Sequence, residues 1–194
     1  TSDEQLMRHY LQGDVAAFRA LVQRYDSKIT SFVARRCADK HAIQDVVQDI
    51  WVSVVHRASS FREQSSFKTW LYTITRHKCI DVARRAVHRR AVTLDEPVRR
   101  DVEGSVTVLD QTAHTGPGPD RLASDRRFQE ALEKIMDELP SDQREVFELR
   151  ALQGLKFRVI AELIGVPENT VKSRMRYALQ AIRGRLEALG WSLS

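Results

Sequence analysis

Cysteine is almost absent from this 194-residue chain: Cys37 and Cys79 are the only two, far apart, and no CxxC pair exists. That excludes a disulfide scaffold and a cysteine zinc site. Two isolated thiols read as small buried apolar side chains in a reduced compartment. Long hydrophobic runs are also missing, since nothing approaches the roughly 20 apolar residues of a membrane helix. The first residues, Thr1-Ser2-Asp3-Glu4-Gln5, carry neither the basic nor the apolar block of a secretory leader. The expectation is a cytoplasmic chain with no direct membrane insertion. The histidines His9, His41, His56, His77, His88 and His114 show no metal-ligand spacing, and no Gly-rich phosphate loop or carboxylate pair beside a His occurs. No catalytic residue, metal, cofactor or small-molecule substrate is expected.

Charge, by contrast, is plentiful and mixed. The formal net charge is +5 and the sequence pI about 9.5, with acids and bases both abundant. That balance suits a protein that touches nucleic acid in patches and is not basic all over. The sharpest pattern lies at residues 156–179, where two helical stretches flank the turn Gly165-Val166-Pro167. A pair of short helices joined this way is a helix-turn-helix, whose second helix fits the DNA major groove. At about 100° per residue, Val171, Met175, Ala178 and Ile182 share one narrow arc and are expected to pack on the first helix. Asn169, Ser173, Arg176 and Gln180 lie farthest from that arc, with Thr170 and Lys172 on its flanks. Arg174 falls nearer the apolar edge, which suits a backbone contact or a path along the protein surface.

The rest of the chain has helical periodicity broken once. Asp14 is a candidate N-cap for a stripe of Phe18, Leu21, Val22, Tyr25, Ile29, Phe32 and Val33. A second helix from about Lys40 carries Ile43, Val46, Val47, Ile50, Trp51, Val54 and Val55, with Asp45, Gln48 and Asp49 opposite. A third opens at Ser65-Ser66, runs through Phe67, Trp70, Leu71, Ile74 and Ile80, and ends in Arg84, Arg85, His88, Arg89 and Arg90. Residues 92–123 then hold Pro97, Gly104, Gly116, Pro117, Gly118 and Pro119 with no sustained period, and read as a flexible linker. The alternation Val106-Thr107-Val108 within it is too short to stand as a lone strand. Helix resumes near Ser124 with Phe128, Ala131, Leu132, Ile135 and Leu139, and Pro140-Ser141 punctuates the entry to residues 142–153. The predicted fold is all-α: a domain at 1–91, a linker at 92–123 and a second domain at 124–194, with no internal repeat.

Both halves resemble a bacterial RNA polymerase sigma factor of the extracytoplasmic-function group, the small sigma-70 class built from regions 2 and 4. The N-terminal resemblance rests on Gly13-Asp14-Val15-Ala16-Ala17-Phe18, Asp45-Val46-Val47-Gln48-Asp49, residues 61–74, Asp81 and Arg84-Arg85. The C-terminal resemblance rests on Leu139-Pro140, Gln143 to Phe147, Leu149-Arg150, Gly154-Leu155, Ile160-Ala161, Gly165-Val166-Pro167 and Thr170 to Arg174. Two motif sets in this order across such a linker are specific, although strings like Thr170-Val171-Lys172-Ser173 also end other helix-turn-helix regulators.

The resemblance implies a promoter-specificity subunit with partners but no chemistry of its own. Asp45, Gln48 and Asp49 would dock on the clamp helices of the largest subunit of core RNA polymerase, where an acidic and amide patch suits a basic partner. Residues 61–90 would recognise and open the −10 element. Trapping an extruded base requires an aromatic platform and basic groups on the backbone. Phe61 is the expected platform, Trp70 a core residue, and Arg76, His77, Lys78, Arg84 and Arg85 the expected DNA contacts. The −35 element would be read by Asn169, Thr170, Lys172, Ser173, Arg174, Arg176 and Tyr177, with phosphate contacts setting register and base contacts setting sequence. An anti-sigma factor is a further implied partner. The sequence departs from the family pattern at His77, often Asn; at Glu63-Gln64, commonly Gly-Asp; at Val159, usually acidic; and at Tyr177, frequently Arg. Two other classes fit less well. A recombinase needs a catalytic domain with a placed Ser or Tyr, and a ligand-sensing regulator needs a pocket or dimerisation domain in place of the docking and melting motifs.

Overall fold

The structure is a computed structural model; it describes residues 1–92 and 119–191, with side chains described over 1–88 and 127–191. It comprises two compact units, Thr1–Val108 and Leu109–Ser194, and every regular element among the described residues is helical. The linker's middle, the alternation at 106–108 and the side chains of Arg89 and Arg90 lie outside the described residues.

The first unit opens with a helix that periodicity did not anticipate, α1 (Asp3–Leu11). Ser2 and Gln5 form a reciprocal capping box: Gln5 N–H donates to Ser2 Oγ at 3.2 Å, and Ser2 N–H to Gln5 Oε1 at 2.9 Å. Helix α2 (Val15–Ala34) starts where Asp14 predicts, its carboxylate accepting the Ala16 and Ala17 amides at 2.9 and 3.3 Å. Leu21, Tyr25, Ile29, Phe32 and Val33 are buried along it. A 3₁₀ turn at Lys40–Ala42, capped by Asp39, leads into α3 (Ile43–Arg57). Val46, Val47, Ile50, Trp51 and Val54 face the core, while Val55, expected on that stripe, is exposed. Each fully buried side chain of this size contributes about 1.5–3 kcal/mol. The Trp51 indole N–H donates to Asp26 at 2.9 Å, fastening α3 to α2. After a second 3₁₀ turn (Ala58–Ser60), α4 (Phe67–Val92) begins behind Ser66, whose Oγ accepts the Thr69 amide at 3.2 Å. Phe67, Leu71, Tyr72, Ile74 and Thr75 are buried from it.

The second unit starts with α5 (Pro119–Glu138), five residues ahead of the predicted start at Ser124; Pro119 sits at the first helical position, where its missing N–H costs nothing. Residues 142–153 are not one helix. Helix α6 (Ser141–Phe147) gives way to a π turn at Glu148–Leu152, closed by Gln153 N–H donating to the Glu148 carbonyl at 3.0 Å. Helix α7 (Phe157–Ile164) stops at Gly165, left-handed at φ 73°, and α8 (Glu168–Ala188) follows Pro167. The apolar arc of α8 is shared more widely than expected. Ala178, Ile182 and Leu186 cluster with Ile135 and Met136 of α5, Leu139 just past its end and Phe147 of α6, so α8 rests on those helices as well as on α7.

Candidate nucleic-acid interface

Helix α4 has a clear outer face. His77, Asp81, Arg84, Arg85 and His88 recur at helical spacing and are all exposed, because Phe67, Leu71, Ile74 and Thr75 commit the other side to the core. His77, Arg84 and Arg85 are thereby brought onto one surface, with Asp81 among them. Arg76 is half-buried beside this stripe. Lys78 is turned away from it towards α3, where its Nζ lies 3.0 Å from Asp49 Oδ2. Asp45, Gln48 and Asp49 are exposed on α3, opposite its buried valines and Ile50.

Phe61 requires a correction. It was expected as an open platform for an unstacked base, but it is 8% exposed and packed 6.0 Å from the Phe67 ring and 5.3 Å from that of Trp70. An aromatic at the foot of a loop gains more by joining such a cluster than by facing water. Trp70, expected in the core, is half-buried at the edge of the same cluster.

In the second unit, Gly165 reverses the chain so that α8 presents Asn169, Lys172, Arg176, Tyr177 and Gln180, all exposed. Several of these groups are held by neighbours. Lys172 Nζ is 2.7 Å from Glu168, Ser173 Oγ donates to the Asn169 carbonyl at 2.9 Å, and the Arg176 guanidinium sits over the Tyr177 ring at 5.1 Å. Thr170 is half-buried in the first turn. Arg174 is placed differently from the rest: its Nε is 2.9 Å from Asp142 of α6, and its side chain is 27% exposed. It leaves the outward face and ties α8 to α6 along the protein surface, as its place near the apolar edge implies, and so stands apart from the other residues that the resemblance gives to the −35 element. Arg183, not singled out from the sequence, continues the exposed face two turns beyond Arg176; the seven-residue step Asn169, Arg176, Arg183 was the available signal.

Away from these faces, the Tyr25 hydroxyl donates to Asp3, which also receives Arg24 at 2.8 Å. Burial, then the bond to Asp3 and its charge, push the Tyr25 phenol well above its ordinary value. Among the described residues no group of three His, Cys, Asp or Glu side chains converges as a metal site, and no helix is long and apolar enough to cross a membrane.

Residues 21–89 match the Sigma-70 region 2 family and residues 129–182 the Sigma-70, region 4 family. The chain is 30% identical to the RNA polymerase sigma-H factor of Pseudomonas aeruginosa over 194 residues, covering 96% of this chain and 95% of that protein. It is also 30% identical to the ECF RNA polymerase sigma-E factor of Haemophilus influenzae, covering 97% of each. In fold it resembles the sigma factor RpoE of Bartonella quintana, solved with the anti-sigma factor NepR, at a TM-score of 0.66 and 20% identity over 89% of this chain and 98% of that one. The exposed faces of α3, α4 and α8 therefore belong to a known frame: the chain is a member of the sigma-70 family, of its extracytoplasmic-function group.

Proposed function

We propose that this sigma factor binds core RNA polymerase through Asp45, Gln48 and Asp49 and places two DNA-reading faces on a promoter. The outer face of α4, with His77, Arg84 and Arg85 and with Arg76 and Lys78 beside it, takes the −10 element. The outer face of α8, with Asn169, Thr170, Lys172, Ser173, Arg176 and Tyr177, takes the −35 element. The functional boundaries run at 1–91 and 124–194, with 92–123 as the tether. The observation that carries the reading is that each unit, matched to its own region of the family, turns one face of a single long helix outwards with exposed cations on it, Arg84 and Arg85 on α4 and Lys172, Arg176 and Arg183 on α8. Phosphate neutralisation by those cations makes promoter binding steeply salt-dependent.

The protein acts inside the cell, makes no phosphodiester bond itself, and is held in check by an anti-sigma factor, as the relative from Bartonella quintana is bound by one. The test is binding of the full-length chain to sigma-free core polymerase, followed by binding of the complex to promoter fragments. Asp45→Ala with Asp49→Ala should weaken the first step, and Arg84→Ala with Arg85→Ala only the second. Loss of the two steps in the opposite order would sink the assignment of faces.

A further inference from the structure

We propose that Arg8 is a positioning residue for −10 recognition: it clamps the loop at residues 62–66 and so fixes which base the loop accepts. The proposal rests on the reading that the first unit handles the −10 element.

The loop connects the 3₁₀ turn after α3 to α4. Its five residues, Arg62, Glu63, Gln64, Ser65 and Ser66, are all exposed, while the phenylalanines at either end, Phe61 and Phe67, are buried against each other. A loop rooted only at its ends would sample many conformations. This one is held in the middle. Glu63 has φ 54°, and among the described residues it is the one non-glycine with a positive φ. A side chain persists in that left-handed region only where its surroundings over-determine it.

Helix α1 supplies that constraint. The Arg8 guanidinium donates to Glu63 through Nε at 3.2 Å to Oε1, and through Nη2 at 3.0 Å to each carboxylate oxygen. One turn earlier, Glu4 Oε1 accepts the Phe67 amide at 3.0 Å, so the same helix holds the loop at its centre and at its exit. Helix α1 is itself anchored, with Leu6 and Met7 buried and Asp3 fastened to Arg24 and Tyr25 of α2.

The Arg8 and Glu63 side chains are 55% and 42% exposed, and a pair so exposed adds little to folding stability. Its effect is geometric. A planar fork on a carboxylate fixes direction as well as distance, and here it sets how the flanking Arg62 and Gln64 are offered. A primary amide can pair with the edge of a base, and a guanidinium beside it can hold the adjoining phosphate. The departure from the family's commoner Gly-Asp at 63–64 is thus compensated: the backbone keeps a shape suited to glycine, and Arg8 holds the residue that replaced it.

The experiment is run-off transcription with the full-length chain and sigma-free core on promoters randomised through the −10 element, with the melting temperature read in parallel. Arg8→Ala should reduce discrimination at one −10 position by about tenfold, with −35 preference and core affinity unchanged. Glu63→Gly relieves the backbone and should melt no lower than wild type, yet lose the same discrimination. The reversed pair, Arg8→Glu with Glu63→Arg, should restore part of it. An unchanged −10 profile in Arg8→Ala, alongside a changed one in Gln64→Ala, would overturn the clamp while leaving the loop as reader. If neither variant alters the profile, the loop reads no base and the proposal falls, while the −10 assignment of α4 stands or falls separately with Arg84→Ala and Arg85→Ala. A uniform loss on every promoter with a lower melting temperature would make Arg8 merely structural, which also overturns it.

Discussion

Lys78 Nζ, on the helix assigned to the −10 element, lies 3.0 Å from Asp49 Oδ2, on the patch assigned to polymerase docking. A basic partner helix competing for Asp49 would release this ammonium for DNA, so the two assigned surfaces share one charge.

Asp49→Asn should therefore separate the two activities. Core affinity falls, because the docking patch loses a charge. Binding of the free protein to single-stranded −10 DNA at low salt rises, because Lys78 is released. The pair is 24% and 58% exposed, so denaturant unfolding should change by less than about 1 kcal/mol. Fluorescence anisotropy with labelled core and labelled oligonucleotide reads both effects; a parallel fall in both would contradict the shared-charge account.

Arg174 and Arg176 are two residues apart and should behave differently. Arg176→Ala should cost about 1–3 kcal/mol of discrimination at one −35 position. Arg174→Ala removes the tie to Asp142. It should weaken binding to all upstream sequences alike, with at most about 1 kcal/mol lost in stability. Competition binding against single-base −35 variants distinguishes a positional loss from a uniform one.

Gly165→Ala tests the helix-turn-helix turn. No atom would meet the added Cβ within 4 Å, so the cost comes from the left-handed backbone at φ 73° alone. Thermal unfolding should show a loss of about 1–2 kcal/mol, with −35 affinity falling in proportion to the unfolded fraction.

Tyr25 makes a prediction in pH. Its folded-state pKa is raised, first by burial and then by Asp3, so its contribution is fully present below the unfolded value of about 10 and is lost as pH rises beyond it. Tyr25→Phe should be less stable at neutral pH by about 1 kcal/mol, the worth of the hydrogen bond to Asp3. The gap to wild type should narrow above about pH 10, where only wild type gains a charge on unfolding. Melting curves of the two proteins from pH 7 to 11 check the sign.

What could be read from sequence was whatever depends on near neighbours. The stripe Val46, Val47, Ile50, Trp51 and Val54, the cap at Asp14 and the turn at Gly165 are set by local spacing and local backbone preference. Helix α1 escapes a reading by periodicity because its stretch is polar and offers only Leu6 and Met7 to the core; the spacing Ser2 to Gln5 is its signal. The burial of Phe61 is not legible because an aromatic before a loop has the same sequence whether it faces solvent or meets Phe67 and Trp70. The partners of Arg8, Lys78 and Arg174 lie 55, 29 and 32 residues away along the chain, and only the packing of the helices brings each pair together.

Promoter choice can be measured by run-off transcription from a library of promoter fragments, using sigma-free core polymerase with and without this chain. A promoter-choosing subunit should give initiation on a subset sharing two spaced elements, lost from that subset when either element is scrambled. DNA binding by the chain with no promoter-specific initiation by core on any fragment would contradict that role.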